Sequence, residues 1–143
     1  MSQTSSDEHV ILLHGLARSS HSMKKMAKAL EKAGYSTINV NYPSRKYTIE
    51  QLADNAILKA LSACPNNVKI HFVTHSMGGI LVRQFLSKNM IDNLGHVVML
   101  GPPNKGSQLV DKLGNMLAFK LINGPAGRQL GTDQQSLPIC LIV

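Results

Sequence analysis

Thr74-His-Ser-Met-Gly-Gly79 stands between a run that reads as a β-strand, Val68 to Thr74, and a helical stretch from about Met77 to Asn89. A serine in so tight a strand-to-helix turn is held in strained backbone with its hydroxyl exposed, the arrangement of a nucleophile elbow. The usual pattern is G-x-S-x-G, because strand and helix approach closely around the serine. Here Thr74 departs from it, while Gly78 and Gly79 keep the helix side small. The chemistry such a turn would serve is acyl transfer, with the serine attacking a carbonyl carbon. That attack builds negative charge on the carbonyl oxygen, and losing one of the N–H donors that stabilise it costs about 3–4 kcal/mol. A serine at such a junction can also be a plain helix N-cap without chemistry. The apolar strand before it, the amphipathic helix after it and His14-Gly15 at another strand end favour the nucleophile.

The elements that must position Ser76 alternate in type. Val10 to Leu13 is a short apolar run ending at His14-Gly15, as a buried parallel strand would be. Ser19 or Ser20 can cap a helix whose Met23, Met26, Ala27 and Leu30 share a face, with Gly34 as its stop. Ser36 to Tyr42 reads as the second strand. Thr48-Ile-Glu-Gln51 is a capping-box pattern, opening a helix that buries Ile49, Leu52, Ala53, Ala56, Ile57, Ala60 and Leu61. A fourth strand, His96 to Leu100, follows Gly95, and Asn104 can cap a further helix with Leu109, Val110 and Leu113. From Gly114 to Gly131 the pattern is irregular, and Leu137 to Val143 is apolar. Strands alternating with helices predict βαβ units, a parallel sheet and helices on both faces. Ligands of such sheets bind beyond the carboxyl ends of the strands, where His14, Ser76 and Gly101 fall.

Three segments, Val10-Ile-Leu-Leu-His-Gly15, Thr74-His-Ser-Met-Gly-Gly79 and more weakly Leu100-Gly-Pro-Pro-Asn-Lys-Gly-Ser107, resemble α/β-hydrolases of the small lipase and esterase group. That group includes bacterial triacylglycerol lipases and the GPI inositol-deacylase domain. The resemblance covers residues 9 to about 115 and implies a three-layer α/β/α fragment, mainly parallel, with at least four strands in the spatial order second, first, third, fourth. It makes Ser76 the nucleophile and the backbone N–H groups of Leu16 and Met77 the oxyanion hole. His14 and Gly15 shape the loop that carries Leu16, and His14 as a catalytic base is the less favoured reading. His75 supports the turn, as Gly78 and Gly79 do.

A serine hydroxyl needs a base, and the base an orienting carboxylate. The resemblance implies the chain order serine, acid, histidine. The histidine after Ser76 is His96, at the start of its strand and roughly 15 Å from the level of the serine. Asp92, Asp111 and Asp133 do not follow a strand bordering the nucleophile strand's far side. His21 could approach Ser76 but is out of order. The triad acid and base are therefore unassigned, and the apolar end at Val143 reads as a truncated or frameshifted frame or a fragment, with little turnover expected of this chain alone. The implied activity is carboxylic-ester hydrolysis. Its rivals are a non-catalytic hydrolase remnant that binds a lipid, acyl group or protein, and thioester cleavage or acyl transfer on the same scaffold.

At 143 residues the chain is long enough for one domain, taken as residues 9–143 after a disordered tail of residues 1–8. With 43% apolar residues, no Trp, three Phe and three Tyr, the core must be aliphatic. No signal peptide or membrane span is recognisable, which predicts a cytoplasmic protein. Cys64 and Cys140 read as reduced thiols, and neither a cofactor nor a metal is expected. The net charge of +7 is spread, with Lys24, Lys25, Lys28 and Lys32 along one helix. Without aromatic residues among the basic ones, no nucleic-acid partner is expected, leaving a small ester or lipid and at most weak contact with a membrane surface.

Overall fold

A computed structural model describes residues 7–101 of the chain. Strand β1, Glu8–Leu13, has no exposed face: Ile11, Leu12 and Leu13 are wholly buried, as a strand covered on both sides requires. It pairs in parallel with β2, Ser36–Val40, on one side and β3, Lys69–His75, on the other. Strand β4, Leu94–Leu100, pairs in parallel with β3, giving the order β2-β1-β3-β4 that the resemblance implies.

Helix α1, Lys24–Lys32, covers one face of the sheet, where Met23 and Ala27 pack on Val10, Leu12 and Val73. Helices α2, Ile49–Ser62, and α3, Met77–Lys88, cover the other and enclose Ile11, Leu13, Phe72 and Val97. Successive residues of β1 thus feed opposite layers, as the pleat dictates. Beyond α1 the first face is open among the described residues, and Val98 and Leu100 on β4 are each 37% exposed.

The capping box of α2 is formed: Gln51 N–H donates to the Thr48 hydroxyl at 3.3 Å, and Thr48 N–H donates to the Gln51 side chain at 3.2 Å. The first helix differs from expectation. Ser19 is extended and its side chain caps nothing; Ser20–Met23 form a 3-10 turn, and α1 begins only at Lys24. Met26 is exposed, so the buried stripe narrows to Met23, Ala27 and the partly buried Leu30.

Other differences are boundaries set by tertiary partners. Strand β1 starts inside the stretch expected as a tail, because the Asp7 carbonyl accepts from Lys69 N–H at 2.8 Å and the Glu8 carboxylate meets His71 Nε2 at 2.6 Å. Strand β4 takes in Gly95, where a Cβ would lie 2.3 Å from His71 Cε1, so only glycine admits that ring beside the irregular β3–β4 pairing. Strand β2 stops at Val40 because Tyr42 turns onto His14. Cys64 is a free, partly buried thiol, and its burial pushes its pKa up. Cys140, the helix expected at Asn104, the Gly114 to Gly131 stretch and the apolar end lie outside the described residues.

Candidate active site

A single residue, Ser76, joins β3 to α3. To turn the chain within one residue it adopts φ 51° and ψ −118°, a conformation that costs a non-glycine residue about 1–3 kcal/mol. The neighbours hold it there. Ser76 N–H donates to the Leu100 carbonyl of β4 at 2.9 Å, and its own carbonyl accepts from Gly79 N–H at 3.1 Å. Close contact between helix and strand explains the next glycine: a Cβ on Gly78 would stand 2.5 Å from the Leu13 carbonyl oxygen. On the strand side Thr74 is wholly buried, and its hydroxyl has no hydrogen-bond partner among the described residues. The methyl and hydroxyl fit where the pattern asks for glycine, at the cost of one unsatisfied oxygen.

Parallel pairing sets Leu13 beside Thr74, so the chain leaving β1 meets the turn at Ser76. A Cβ on Gly15 would lie 3.4 Å from Ser76 Cβ and 3.0 Å from His75 Nδ1. The structure therefore brings His14, Gly15, His75 and Ser76 together. His14 itself is wholly buried, its ring stacked on Tyr42 at 4.0 Å with an interplanar angle of 10°. Tyr42 N–H donates to Nε2 at 3.4 Å, which leaves the proton on Nδ1, donated to the Gly15 carbonyl at 2.8 Å. Burial lowers the His14 pKa from its ordinary value, favouring the neutral ring this pairing needs. Both nitrogens are committed to backbone, and neither is free to serve Ser76 as a base.

Leu16 is half-buried, Ala17 has a positive φ of 56°, and Arg18 N–H closes the turn on the Gly15 carbonyl at 3.2 Å. A peptide plane holds its C=O and N–H on opposite sides, so fixing the Gly15 carbonyl aims the Leu16 N–H away from it. Met77 opens α3, where the first N–H groups have no intrahelical acceptor and the helix dipole is positive.

The remaining candidates lie elsewhere. Pairing of His75 with Leu100 and of Ile70 with Leu94 puts His96 near the opposite end of the sheet from Ser76, where it stacks on His71 at 5.5 Å. Asp92 is exposed just before β4. His21 is exposed in the 3-10 turn and makes no hydrogen bond with Ser76. Asp111 and Asp133 lie outside the described residues. His75 is exposed and borders a cavity of about 370 Å³ shared with Arg18, Lys25 and Met26. No group of three potential metal ligands occurs among the described residues, nor any helix long and apolar enough to cross a membrane. Sequence reasoning missed Tyr42 and Ser44, which hold the 14–17 loop from the end of β2. The strand order itself was the available signal, since it makes the ends of β2 and β1 neighbours.

Solved structures share this fold. A lipase of Bacillus licheniformis, BlEst2, is 23% identical with a TM-score of 0.64 over 92% of this chain and 57% of its own. An esterase of Exiguobacterium antarcticum, EaEST, is 19% identical with a TM-score of 0.61 over 78% of this chain and 47% of its own. Polyneuridine aldehyde esterase is 18% identical with a TM-score of 0.57 over 68% and 42%. The chain thus spans about half the length of these structures, and at such identities the likeness is one of fold. No curated protein sequence matches it. The family model for the alpha/beta hydrolase fold matches residues 8–140, nearly the whole chain, and the protein therefore belongs to the α/β-hydrolase fold family.

Proposed function

We propose that this protein is a serine hydrolase of carboxylic esters that works through an acyl-enzyme on Ser76. The observation that carries the reading is the strained one-residue turn at Ser76, half-buried at the start of α3 and set against Gly15. In the reaction Ser76 Oγ adds to the ester carbonyl carbon, and the carbonyl oxygen takes the negative charge. The N–H groups of Leu16 and Met77 stabilise that charge from fixed positions, without reorganising as it forms. The carbon–oxygen bond of the leaving alcohol then breaks, the alcohol leaves with a proton, and water hydrolyses the acyl-serine in a second addition through the same donors. Gly15 and Gly78 permit the close approach, and His14 keeps the Gly15 carbonyl turned away from the charge. In this fold's chain order the base and its carboxylate follow the serine, and the one histidine that does so here, His96, lies near the opposite end of the sheet. Among the described residues no histidine is hydrogen-bonded to Ser76.

Lipases and esterases among the similar structures support an ester or lipid substrate. The test is an alkyl fluorophosphonate followed by peptide mass spectrometry. The expected result is a phosphonyl adduct on Ser76 that disappears in Ser76→Ala. An unmodified Ser76 in folded protein would overturn the reading and leave a scaffold without a nucleophile.

A further inference from the structure

Leu16 is flanked by two peptide groups, and both are tied down. The Gly15 carbonyl accepts from His14 Nδ1 at 2.8 Å and from Arg18 N–H at 3.2 Å. On the other side Ala17 N–H donates to the Ser44 hydroxyl at 3.0 Å, across 27 residues of sequence. Ala17 is one of three non-glycine residues with positive φ among those described, at 56°, so this peptide is held in a conformation the chain does not favour by itself. Ser44 is only 4% exposed, and its own N–H donates to the Tyr42 carbonyl at 2.9 Å. The Tyr42 hydroxyl donates to the His14 carbonyl, so the segment after β2 grips the loop at both ends of Gly15-Leu16. Ser44 belongs to neither apolar cluster of the core, and what its hydroxyl fixes is the direction of one N–H.

We propose that Ser44 is a positioning residue for acyl transfer: its buried hydroxyl accepts the Ala17 N–H and so keeps the Leu16 N–H aimed at the oxyanion beside Ser76. The inference rests on Ser76 as nucleophile, and the experiment separates the two. The 143-residue chain is treated with an alkyl fluorophosphonate. The Ser76 Oγ–P bond forms, the P–F bond breaks, fluoride leaves and the hydroxyl proton passes to solvent, while the phosphoryl oxygen occupies the oxyanion position. Saturation kinetics give kinact and KI, and thermal unfolding is followed in parallel.

In Ser44→Ala, kinact is expected to fall about tenfold with KI unchanged, less than the roughly 10²–10³ of deleting a donor outright. Ser44→Thr, which keeps the hydroxyl, should recover most of the rate. Equal kinact in wild type and Ser44→Ala overturns the positioning role and leaves Ser76 standing. A change in KI alone, or no recovery by threonine, marks ordinary loop packing and overturns it as well. A wild-type chain unmodified at Ser76 removes the nucleophile, and the positioning role with it. Should Ser44→Ala fail to fold, Ser44→Cys carries the same comparison, because sulfur fills the site but is a poorer acceptor.

Discussion

Replacing Gly78 by alanine adds one methyl group where strand and helix backbones touch. Its carbon would stand 2.5 Å from the Leu13 carbonyl oxygen and 3.0 Å from Leu13 Cβ. Reaching ordinary contact, about 3.5 Å, requires α3 and β1 to separate by roughly 1 Å. Neither side yields readily, because Leu13 is wholly buried within a strand paired on both edges. Overpacking of this kind costs about 1–3 kcal/mol, and alanine's better helix propensity returns at most about 1 kcal/mol. A net loss of about 1–2 kcal/mol should appear as a lower urea midpoint. The functional effect is larger in proportion. Gly78 follows Met77 directly, and a displacement of roughly 1 Å between the proposed donor and nucleophile would cost about 10²-fold in rate. Fluorophosphonate modification of Ser76 reads that rate. The comparison is Gly34→Ala, at φ 102° with nothing within 4 Å of the added carbon, where backbone strain alone destabilises by about 1 kcal/mol. Gly34→Ala should lower the urea midpoint and leave the modification rate as it was. Equal rate losses in the two variants would refute the reasoning, as would wild-type stability in Gly78→Ala.

Two further outcomes follow from buried groups. Thr74→Val exchanges a buried hydroxyl, unpaired among the described residues, for a methyl of the same shape, and should raise stability by about 0.5–2 kcal/mol in urea unfolding; a decrease would mean that the hydroxyl has a partner. His14, with its pKa held below the ordinary 6.5, binds its proton later than the unfolded chain does as pH falls. Its contribution to stability is therefore complete above about pH 6.5 and is lost as pH falls toward the folded-state pKa, with a slope of at most about 1.4 kcal/mol per pH unit. Unfolding midpoints between about pH 8 and 5 should show this slope reduced in His14→Asn, and an unchanged slope would assign it to other groups.

Much of the fold was legible because it rests on local pattern. The apolar runs of β1 and β3, the capping box at Thr48 and the glycines after Ser76 each declare their element within a few residues. Errors arose where a distant partner decides. Glu8 is strand because Lys69 and His71 pair with it and its neighbour, and Gly95 is strand because a histidine ring needs its bare Cα. Ser19 looked like a cap, yet a serine caps only if the following backbone is already helical, and here it is a 3-10 turn tied to Asn39 and Asn41 of the β2 end. The site divided the same way. Ser76, Gly15 and Gly78 announce themselves by spacing, whereas Tyr42 and Ser44 act across 28 and 27 residues and carry no local signature.

The sheet order explains how the loop after β1 comes to lie beside the turn at Ser76, as the proposed nucleophile and its donors require. With β1 between β2 and β3, the ends of those two strands flank the end of β1 on either side. Each end makes a separate contribution. Strand β3 delivers Ser76, β1 delivers the Gly15–Leu16 peptide, and the turn after β2 holds the next peptide, Leu16–Ala17, through Ser44. Parallel registers fix the level of all three, since Leu13 pairs with Val40 on one side and Thr74 on the other. A slip of one residue in either register would move its neighbour by about 3.3 Å, far more than an oxyanion hole tolerates, and would also turn the buried side chains to the wrong face. The parallel pairing that builds the core is thus the same feature that sets the distance between Gly15 and Ser76. Substitutions within β1 that preserve burial should therefore be tolerated, and those that shift its pairing should abolish modification of Ser76 before they unfold the chain.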